Sequence, residues 1–504
     1  MTDTAEKNGA ALPQPRCPNL SWPAIIGVLG FVLPLLRPAN LLIDPDTYLH
    51  VAAGRWMIEH QALPFQDPFS SSMPGAAWVP HEWLAELIFA LLYAVGGWGA
   101  PVVLCAACFG LSLGLFARRL MIHCETFSLT IMVMLTGWLA YSHLLVRPHA
   151  LAFPILVAWA AGLIAARDRN APPPLWLLPL MVLWANLHGG FMFGNALALY
   201  LGGEAVLTAA DAAARRRALR QWGVFLSLSL LAGLMTPNGV AGFIQPFRLM
   251  AMPTLQARFG EWLSPNLRED RLLALWVLGA PLLAFGLGLR LPIFRLILLT
   301  GLYYETFQSS RHADLLCWVG PLAVAASLGP QLAGWIRLDQ PSALARWMMR
   351  RMAPGNLAGA LCVAPLLLLA GAVTIAFPPV PEAKSDCPQA ALAAVRAQHI
   401  EGPVLNTEVV GGCLIFNGVP PFIDGRIEMY GDAFLARWVD AAEGRVAALK
   451  GVLADYHIAW TLFPPSSGAA QVLDLLPGWR RAYSDDDYII HVRTDPAAAA
   501  GAKE

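Results

Sequence analysis

Apolar segments of bilayer-spanning length recur along the first 377 residues, and this recurrence limits the possible folds more than any other feature. An α-helix needs about 20 apolar residues to cross the hydrocarbon core of a membrane. In the whole chain, 57% of residues are hydrophobic and 13% are charged, whereas a soluble domain carries about 25% charged residues. The sequence therefore predicts an α-helical polytopic membrane protein, with spans at residues 23–43, 98–117, 127–146, 149–166, 174–189, 190–210, 221–237, 272–289, 292–308, 313–335 and 356–377.

One further apolar run, residues 83–97, is short for a span and carries Glu86. Arginine and lysine favour cytoplasmic loops, and this rule decides how the run is placed. If it lies along the outer surface, the later arginine clusters all face the cytoplasm, namely 118–119, 167–169, 215–220, 290 and 337–351. We therefore expect about 11 spans plus juxtamembrane helices. The N-terminus would be cytoplasmic and the C-terminus periplasmic, in a bacterial inner membrane.

The same topology brings the distinctive polar residues of the membrane region to one side. The charge rule does not require this clustering, so it is an independent indication of an outward-facing site. The candidate residues are Asp44, Asp46, His50, His81, Glu82, Arg147, His149, His188, Glu261, Arg311 and His312.

The composition changes near residue 378, where a proline-rich linker begins. Strand-like runs at 403–406, 413–416, 460–463 and 488–492 then alternate with helix-like runs, which predicts a small α/β domain. Residues 1–22 are predicted to form a cytoplasmic tail, and the apolar run that follows it is predicted to be a retained signal anchor. The transmembrane domain would comprise residues 23–377, with a periplasmic loop at 44–97, and residues 378–504 would form a periplasmic domain. Cys387 and Cys413 would form a disulfide if that domain faces an oxidising compartment, and the sequence leaves this open.

The segment Asp44-Pro45-Asp46-Thr47-Tyr48, followed by an amphipathic helix and Pro64, resembles the first extracytoplasmic loop of the GT-C glycosyltransferases. These include protein O-mannosyltransferases, the aminoarabinose transferase and oligosaccharyltransferase catalytic subunits. His81 and Glu82 precede the run that takes the place of the second juxtamembrane helix of that superfamily. The resemblance covers about residues 23–120 in order and spacing. The Lys-Pro-Pro segment expected in enzymes that use monophosphate carriers is absent, which leaves the type of carrier open.

This resemblance implies transfer of a sugar from a polyprenyl-phosphate or polyprenyl-diphosphate donor to a glycan, lipid or protein acceptor at the outer face. The acceptor needs a base, for which Asp44 is our first choice. Asp46 would be a second carboxylate, either orienting the acceptor or, together with Asp44, binding a divalent metal ion as the one possible cofactor. The structural alternative is that both aspartates cap the helix that follows.

The departing lipid phosphate accumulates negative charge, which arginine or histidine can stabilise. Arg147 and Arg311 are the candidate phosphate ligands, although arginines near helix ends also extend towards lipid headgroups. The remaining candidates would contact donor or acceptor, and each has a plain structural alternative as an interfacial or turn residue; they are His50, His81, Glu82, His149, His188, Glu261 and His312.

Two other functions fit part of the pattern. A lipid-linked glycan transporter or flippase would favour repeated halves, and no internal repeat is evident. A catalytically inactive GT-C fold could serve as a partner in envelope polysaccharide assembly. Expected partners are the polyprenyl-linked donor and membrane lipids, whereas a net charge of zero argues against nucleic acid. The sugar, the acceptor, the stereochemical outcome, metal dependence and oligomeric state are left open by the sequence.

Reporter fusions test the predicted topology. A reporter fused after residue 97 or 190 is expected to give an outside signal, and one fused after residue 120 an inside signal, because only this arrangement keeps the arginine clusters cytoplasmic. Alkaline phosphatase and green fluorescent protein activities measure the two states. An outside signal at residue 120 would contradict the topology.

Overall fold

A computed structural model describes residues 19–335, 347, 351–352, 355–380 and 387–494. The predicted tail at 1–22 and the arginines at 337–351 lie largely outside the described residues. Helices dominate the described part of the chain, and in chain order they are α1 Trp22–Leu35, α2 Asp46–His60, α3 Trp83–Gly96, α4 Gly99–Leu120, α5 Thr126–Ser142, α6 Pro148–Asp168, α7 Leu177–Leu187, α8 Phe191–Leu207, α9 Ala212–Gly233, α10 Gly239–Met250, α11 Pro253–Arg258, α12 Arg271–Ala274, α13 Ala280–Gly286, α14 Ile293–Gln308, α15 Ala313–Trp335, α16 Leu357–Ala376, α17 Gln389–Ala397, α18 Glu408–Phe416, α19 Ile427–Tyr430, α20 Asp432–Ala442, α21 Val446–Asp455 and α22 Gly468–Leu475.

Short turns and strands complete the described elements. Single helical turns of tighter or wider pitch occur at Pro38–Leu42, Gly260–Trp262, Leu275–Gly279 and Ser310–His312. The strands are β1 Val404–Asn406, β2 Trp460–Phe463, β3 Trp479–Ser484 and β4 Ile489–Arg493.

By length and composition alone, four described helical segments could cross a membrane: Gly99–Leu120, Pro148–Asp168, Ser310–Ala333 and Ala358–Ala376. Other apolar helices are shorter, among them Trp22–Leu35 and Phe191–Leu207. The predicted first span at 23–43 is helical only to Leu35 and continues as a short turn at Pro38–Leu42. The total of about 11 spans therefore stays a prediction.

Helices α1 and α4 pack so closely that their backbones touch through glycine. A Cβ atom added to Gly110 would lie 2.5 Å from the carbonyl oxygen of Gly27. Small residues that let backbones approach are the usual means of helix association in membranes. This contact fixes α1, and with it the chain that leads to Asp44.

Two groups of charged residues lie at opposite ends of α6. One surrounds Arg147, just before the helix begins, and the other surrounds Asp168, where it ends. Arg295 and Arg119 donate to the two carboxylate oxygens of Asp168 at 2.8 and 2.9 Å, and Arg295 and Arg167 lie 3.7 and 3.4 Å from Glu204. Asp168 ends α6, whose first residue follows Arg147, so about 30 Å of helix separates the two clusters. Arg119 and Arg167 thus share one end of the bundle, as the predicted topology requires.

The C-terminal domain contains a four-stranded sheet in the order β1-β2-β4-β3, with β1 and β2 parallel and the other pairs antiparallel. The predicted α/β class is correct, but residues 413–416 are not a strand. They belong to α18, because a short apolar run suits a buried helix as well as a strand. Gly411 allows this helix to pack against the backbone near Ile423, since an added Cβ would lie 2.3 Å from its carbonyl oxygen.

Helix α18 joins the C-terminal domain to the first outer loop. A Cβ atom on Gly412 would lie 2.8 Å from the carbonyl oxygen of Pro45, so α18 packs directly on the start of α2. Cys413 of α18 forms a disulfide with Cys387, with the Cα atoms 5.2 Å apart. The disulfide that the sequence left open is therefore present, and it links α18 to the start of the domain.

Arg426 forms a second connection between the domain and the first loop. Its guanidinium donates to both oxygens of Asp424 at 2.8 and 2.7 Å and to Asp67 of the loop at 2.7 Å. The ring centroids of Phe69 and Trp78 lie 5.0 and 4.8 Å from the guanidinium carbon. Burial opposes ionisation of Asp424, but Arg426 lowers the pKa of that carboxyl below its ordinary value.

Substitution of Arg426 by alanine is expected to destabilise the protein by about 3–5 kcal/mol, because two buried carboxylates would lose their cation. Thermal unfolding of the purified protein measures the effect. Arg445→Ala is the matched control, since its side chain is 60% exposed and its ion pairs lie at the surface. The difference from wild type should shrink as the pH falls below 3.8, where Asp424 is protonated in the unfolded chain. Equal melting temperatures for the two variants would contradict this role.

Candidate functional site

A polar cavity of about 320 Å³ lies where the starts of α2 and α6 meet the C-terminal domain. It collects residues that are up to about 380 positions apart in the chain. The sequence-predicted residues that line it are Asp44, Asp46, His50, His81, Glu82, Arg147, His149, His188, Glu261 and Arg311. His312 lines an adjoining apolar cavity instead. The structure therefore brings all of the predicted site residues to one region.

The two aspartates are fixed by the start of α2. Asp44 accepts a hydrogen bond of 2.9 Å from the backbone N–H of Asp46, the first residue of the helix. Thr47 donates to the carbonyl oxygen of Val146 at 3.2 Å, which ties the helix start to the segment before α6. Asp44 therefore satisfies one backbone N–H of the first helical turn, although the N-cap position itself is Pro45, and Asp46 contacts Arg147.

Arg147 is the central cation of the cavity. It directly precedes Pro148, which begins α6, and its guanidinium contacts three carboxylates. The Nη1 nitrogen lies 3.2 Å from a carboxylate oxygen of Asp44 and 2.9 Å from one of Glu261, while Nη2 donates to Asp46. The three acids come from two distant parts of the chain, so Arg147 holds the first loop and the 260 region together.

These contacts perturb the ionisation of the groups involved. Burial raises the pKa of Asp44 to about 6, although the charge of Arg147 opposes the shift. Burial also disfavours the charge on Arg147, but Asp44, Glu261 and Asp46 outweigh it and raise the pKa of the guanidinium well above its ordinary value. A permanently charged arginine thus lies beside a carboxyl that titrates close to neutrality.

Arg311 provides a second and more accessible cation. Its Nη1 nitrogen lies 3.2 Å from a carboxylate oxygen of Glu261, and its guanidinium carbon lies 4.7 Å from the ring centroid of Trp262. The side chain is 32% exposed. Burial disfavours ionisation of Glu261, but Arg311 and Arg147 lower the pKa of that carboxyl to about 2. Among the described residues, Arg311 therefore has one carboxylate partner, Glu261, and it lines the polar cavity.

Two histidines, His81 and His188, lie near the carboxylate of Glu82 in the polar cavity. Its carboxylate lies 3.7 Å from His188 and 4.0 Å from His81. Burial disfavours ionisation of Glu82, but these histidines lower its pKa below the ordinary value. His149 contacts the carbonyl oxygen of His143 at 2.9 Å, and His312 lies 3.2 Å from Glu305. His81 and Glu82 both face the cavity, which is compatible with the loop conformation before α3.

The C-terminal domain adds residues that the sequence interpretation missed. Glu408 and Glu428 line the polar cavity, and Gly425 lies so close to Asp46 that an added Cβ would be 2.0 Å from its carboxylate oxygen. Burial, with Asp46 and Glu261 nearby, raises the pKa of Glu408 well above its ordinary value. Local sequence carries no signal for this approach, because it depends on how α18 docks on α2.

A larger apolar cavity of about 1080 Å³ adjoins the polar one. Its walls come from α6, α7, α8, α9, α10, α14 and α15, and include Phe193, Leu226, Leu230 and Ile297. The two cavities share lining residues, among them Asp44, Arg147, His188, Glu261 and Arg311. The shared polar residues thus lie where the two cavities adjoin.

The predicted pair of metal ligands does not fit a metal site in this arrangement. The carboxylates of Asp44 and Asp46 are both engaged by the guanidinium of Arg147. Among the described residues, no group of three or more histidine, cysteine, aspartate or glutamate side chains is arranged to hold a metal ion. Transition-metal or hard-cation sites need several such donors around one point.

Solved structures that resemble this chain include archaeal oligosaccharyltransferases. The apo oligosaccharyltransferase of Archaeoglobus fulgidus matches 88% of this chain and 69% of its own, with 12% sequence identity and a TM-score of 0.50. Archaeal oligosaccharyltransferase AglB from Archaeoglobus fulgidus, in complex with an inhibitory peptide and a dolichol-phosphate, matches the same shares, with 11% identity and a TM-score of 0.53. ArnT from Cupriavidus metallidurans, bound to undecaprenyl phosphate, matches 94% of this chain and 98% of its own at 13% identity, but its TM-score of 0.43 supports no argument.

No protein-family sequence profile matches the chain, and no curated protein sequence matches it. The chain shares its fold with these archaeal oligosaccharyltransferases, so the fold that the resemblance of its first outer loop implied is confirmed. The described part of the chain is mostly helical, with several apolar helices and a small C-terminal sheet. At 11–12% identity the likeness establishes the fold and not the activity.

Infrared titration tests the electrostatics of the site. Because burial raises the pKa of Asp44, the protonated carboxyl band is expected to lose intensity with a midpoint of about pH 6, and Asp44→Asn should make this loss smaller. Arg147→Met should move the midpoint higher, since the arginine charge lowers this pKa. Asp486→Asn, at an exposed position, is the control. A band that titrates at 3.8, the ordinary value, would contradict the assignment.

Proposed function

We propose that this protein transfers a sugar from a polyprenyl-phosphate or polyprenyl-diphosphate donor to an acceptor at the outer face of a bacterial inner membrane. The observation that carries the proposal is the pair of joined cavities, one polar and one apolar, of about 320 and 1080 Å³. A ligand that fills both must have a charged head and a long apolar tail. Lipid-linked sugars have this chemistry, and the GT-C fold agrees with it.

Arg311 and Arg147 are the proposed ligands of the lipid phosphate. Arginine binds phosphate through paired, charge-assisted hydrogen bonds. Arg147 is already engaged by three carboxylates, whereas Arg311 contacts only Glu261 among the acids of the described chain. Arg311 would make the main contact with the phosphate, and Arg147 would contribute a second positive charge in the same cavity.

The chemistry follows from the groups around this point. An acceptor hydroxyl or amine attacks the anomeric carbon, the bond between that carbon and the phosphate oxygen breaks, and the lipid phosphate leaves with the electron pair. The two arginines stabilise the charge that develops on the phosphate. The acceptor loses a proton to a basic group of the cavity, for which the sequence puts forward Asp44, with Asp46 beside it.

The C-terminal domain has a proposed role in binding the acceptor. Glu408 and Glu428 line the polar cavity together with Arg147 and Arg311. Polar residues with no part in phosphate binding suit an acceptor that enters between the domain and the first loop. His50, His81, His149, His188 and His312 are proposed to complete contacts with donor or acceptor.

Turnover of a defined donor tests the proposal. The full-length protein, purified in detergent and returned to lipid vesicles, would receive radiolabelled undecaprenyl-phosphate and undecaprenyl-diphosphate sugars. Arg311→Met is expected to lower donor affinity roughly 10–100-fold, because a charged hydrogen bond contributes about 1.5–3 kcal/mol. Arg268→Met is the matched control, since Arg268 is exposed in the same outer region.

Two outcomes would reject the function. One is that no donor is turned over and that undecaprenyl phosphate does not bind the wild-type protein. The other is that Asp44→Asn and Asp46→Asn both leave turnover unchanged, since these acids are the proposed base and its neighbour and both contact Arg147. Binding without turnover would favour the alternative of a transporter or an inactive partner.

A further inference from the structure

One carboxylate bridges the two arginines that are assigned to the lipid phosphate. An oxygen of Glu261 lies 2.9 Å from Nη1 of Arg147, and its other oxygen lies 3.2 Å from Nη1 of Arg311. All three residues line both the polar and the apolar cavity. The bridge therefore lies where the two cavities adjoin, which is the place that the proposed function gives to the phosphate.

A carboxylate and a phosphate compete for the same donors of a guanidinium. Both offer oxygens that accept paired, charge-assisted hydrogen bonds, and arginine binds both in this way. A phosphate that bridges Arg147 and Arg311 would take the place that the Glu261 carboxylate has between them. The side chain of Glu261 thus contacts the arginines in the manner of the ligand that they are proposed to bind.

The charge around this bridge favours exchange of one anion for another over addition of a second. The two arginines already face three carboxylates, those of Asp44, Asp46 and Glu261. Like charges about 4 Å apart repel one another strongly in surroundings of low polarity. Replacement of Glu261 by a phosphate keeps the negative charge of the group nearly constant, whereas addition of the phosphate beside it would increase that charge.

Glu261 is the carboxylate of the group that is best placed to leave. Its side chain is 39% exposed, whereas those of Asp44 and Asp46 are 10% and 16% exposed. Asp44 is also held by the backbone N–H of Asp46 at 2.9 Å. In the described part of the chain, the hydrogen bonds of the Glu261 carboxylate are those from the two arginines. Its position therefore depends on the same contacts that a phosphate would replace.

The backbone at Glu261 does not have to move for this exchange. Its carbonyl oxygen accepts hydrogen bonds from the hydroxyl groups of Ser309 and Ser310 at 2.8 and 3.1 Å. Arg311 also has a contact that does not involve Glu261, since its guanidinium carbon lies 4.7 Å from the ring centroid of Trp262. Rotation about the side-chain bonds of Glu261 is therefore enough to uncover the two arginines.

We propose that Glu261 competes with the lipid phosphate for Arg147 and Arg311, so that the donor displaces this carboxylate on binding and the carboxylate replaces the lipid phosphate product on release. The inference rests on the proposed function. Donor and product share a phosphate and an apolar tail, so a protein that binds one tightly also retains the other. An internal competitor lowers the affinity for both and thereby promotes release of the product.

The competitor stays charged over the whole working range of pH. Burial disfavours ionisation of Glu261, but Arg311 and Arg147 lower the pKa of the carboxyl to about 2. The competition is therefore set by the number of anions at the arginines and does not depend on a proton.

Binding of undecaprenyl phosphate tests this competition. The full-length protein in vesicles of phosphatidylcholine, a lipid without net charge, would be titrated with the radiolabelled compound. Glu261→Gln is expected to lower the Kd roughly 10–100-fold, the factor that one charged hydrogen bond contributes. When a donor is turned over, its KM and the inhibition constant of undecaprenyl phosphate should fall together. Glu269→Gln, at an exposed position of the same outer segment, is the matched control and should leave the Kd unchanged.

Two further variants test where the competition occurs. Arg311→Met should weaken binding by itself, and the gain from Glu261→Gln should shrink in this background, because the arginine that the carboxylate releases is then missing. Glu261→Asp keeps the charge on a side chain that is one methylene shorter and bridges the arginines less well. Its Kd is expected to lie between those of wild type and Glu261→Gln. Melting temperatures measured without undecaprenyl phosphate establish that each variant folds.

The outcomes separate this inference from the proposed function. An unchanged or increased Kd in Glu261→Gln and Glu261→Asp would show that the carboxylate supports the phosphate site, and it would overturn the competition while glycosyl transfer stands. A gain that persists undiminished in the Arg311→Met background would overturn it equally. A wild-type protein that neither binds undecaprenyl phosphate nor turns over any donor would instead be a failure of the proposed function.

Discussion

The ion pairs of Arg147 are the interaction on which the rest of the site depends. One guanidinium, placed by the start of α6, contacts Asp44 and Asp46 from the first loop and Glu261 from the region before α12. These ion pairs depend on one another, because removal of the arginine or of its carboxylate partners would leave an unpaired charge that is poorly solvated. The position of the loop, the start of α2 and the 260 region are therefore coupled to one another.

The C-terminal domain extends this coupling. Helix α18 contacts the start of α2 through Gly412, and Gly425 contacts Asp46 itself. Arg426 binds Asp67 of the same loop that carries the aspartates. Movement of the domain would therefore disturb the acids that hold Arg147. This connection explains how a domain outside the helical bundle can belong to the chemistry of the cavity.

Much of the site was accessible from the sequence, for a definite reason. Charged residues at the ends of apolar segments are costly, so Asp44, Arg147 and Arg311 stand out from their surroundings. The positive-inside rule then places them on one side without knowledge of any contact. Glu408, Glu428 and Gly425 carry no such signal, because acids and glycines are ordinary in a soluble domain. The strand predicted at 413–416 failed for a related reason, since local pattern does not distinguish a buried strand from a buried helix turn.

By itself the sequence determined the succession of apolar helices, the resemblance to the GT-C fold and the presence of an α/β domain, and it predicted that the polar residues gather together. Hydrophobicity and charge act locally, and their pattern along the chain is enough for those conclusions. Only the tertiary structure decided which charged residues form pairs. Arg147 forms ion pairs with both aspartates, Glu86 lies beside His50, and residues of the C-terminal domain line the cavity. Partnership depends on distances between residues far apart in the chain, and packing of helices sets those distances.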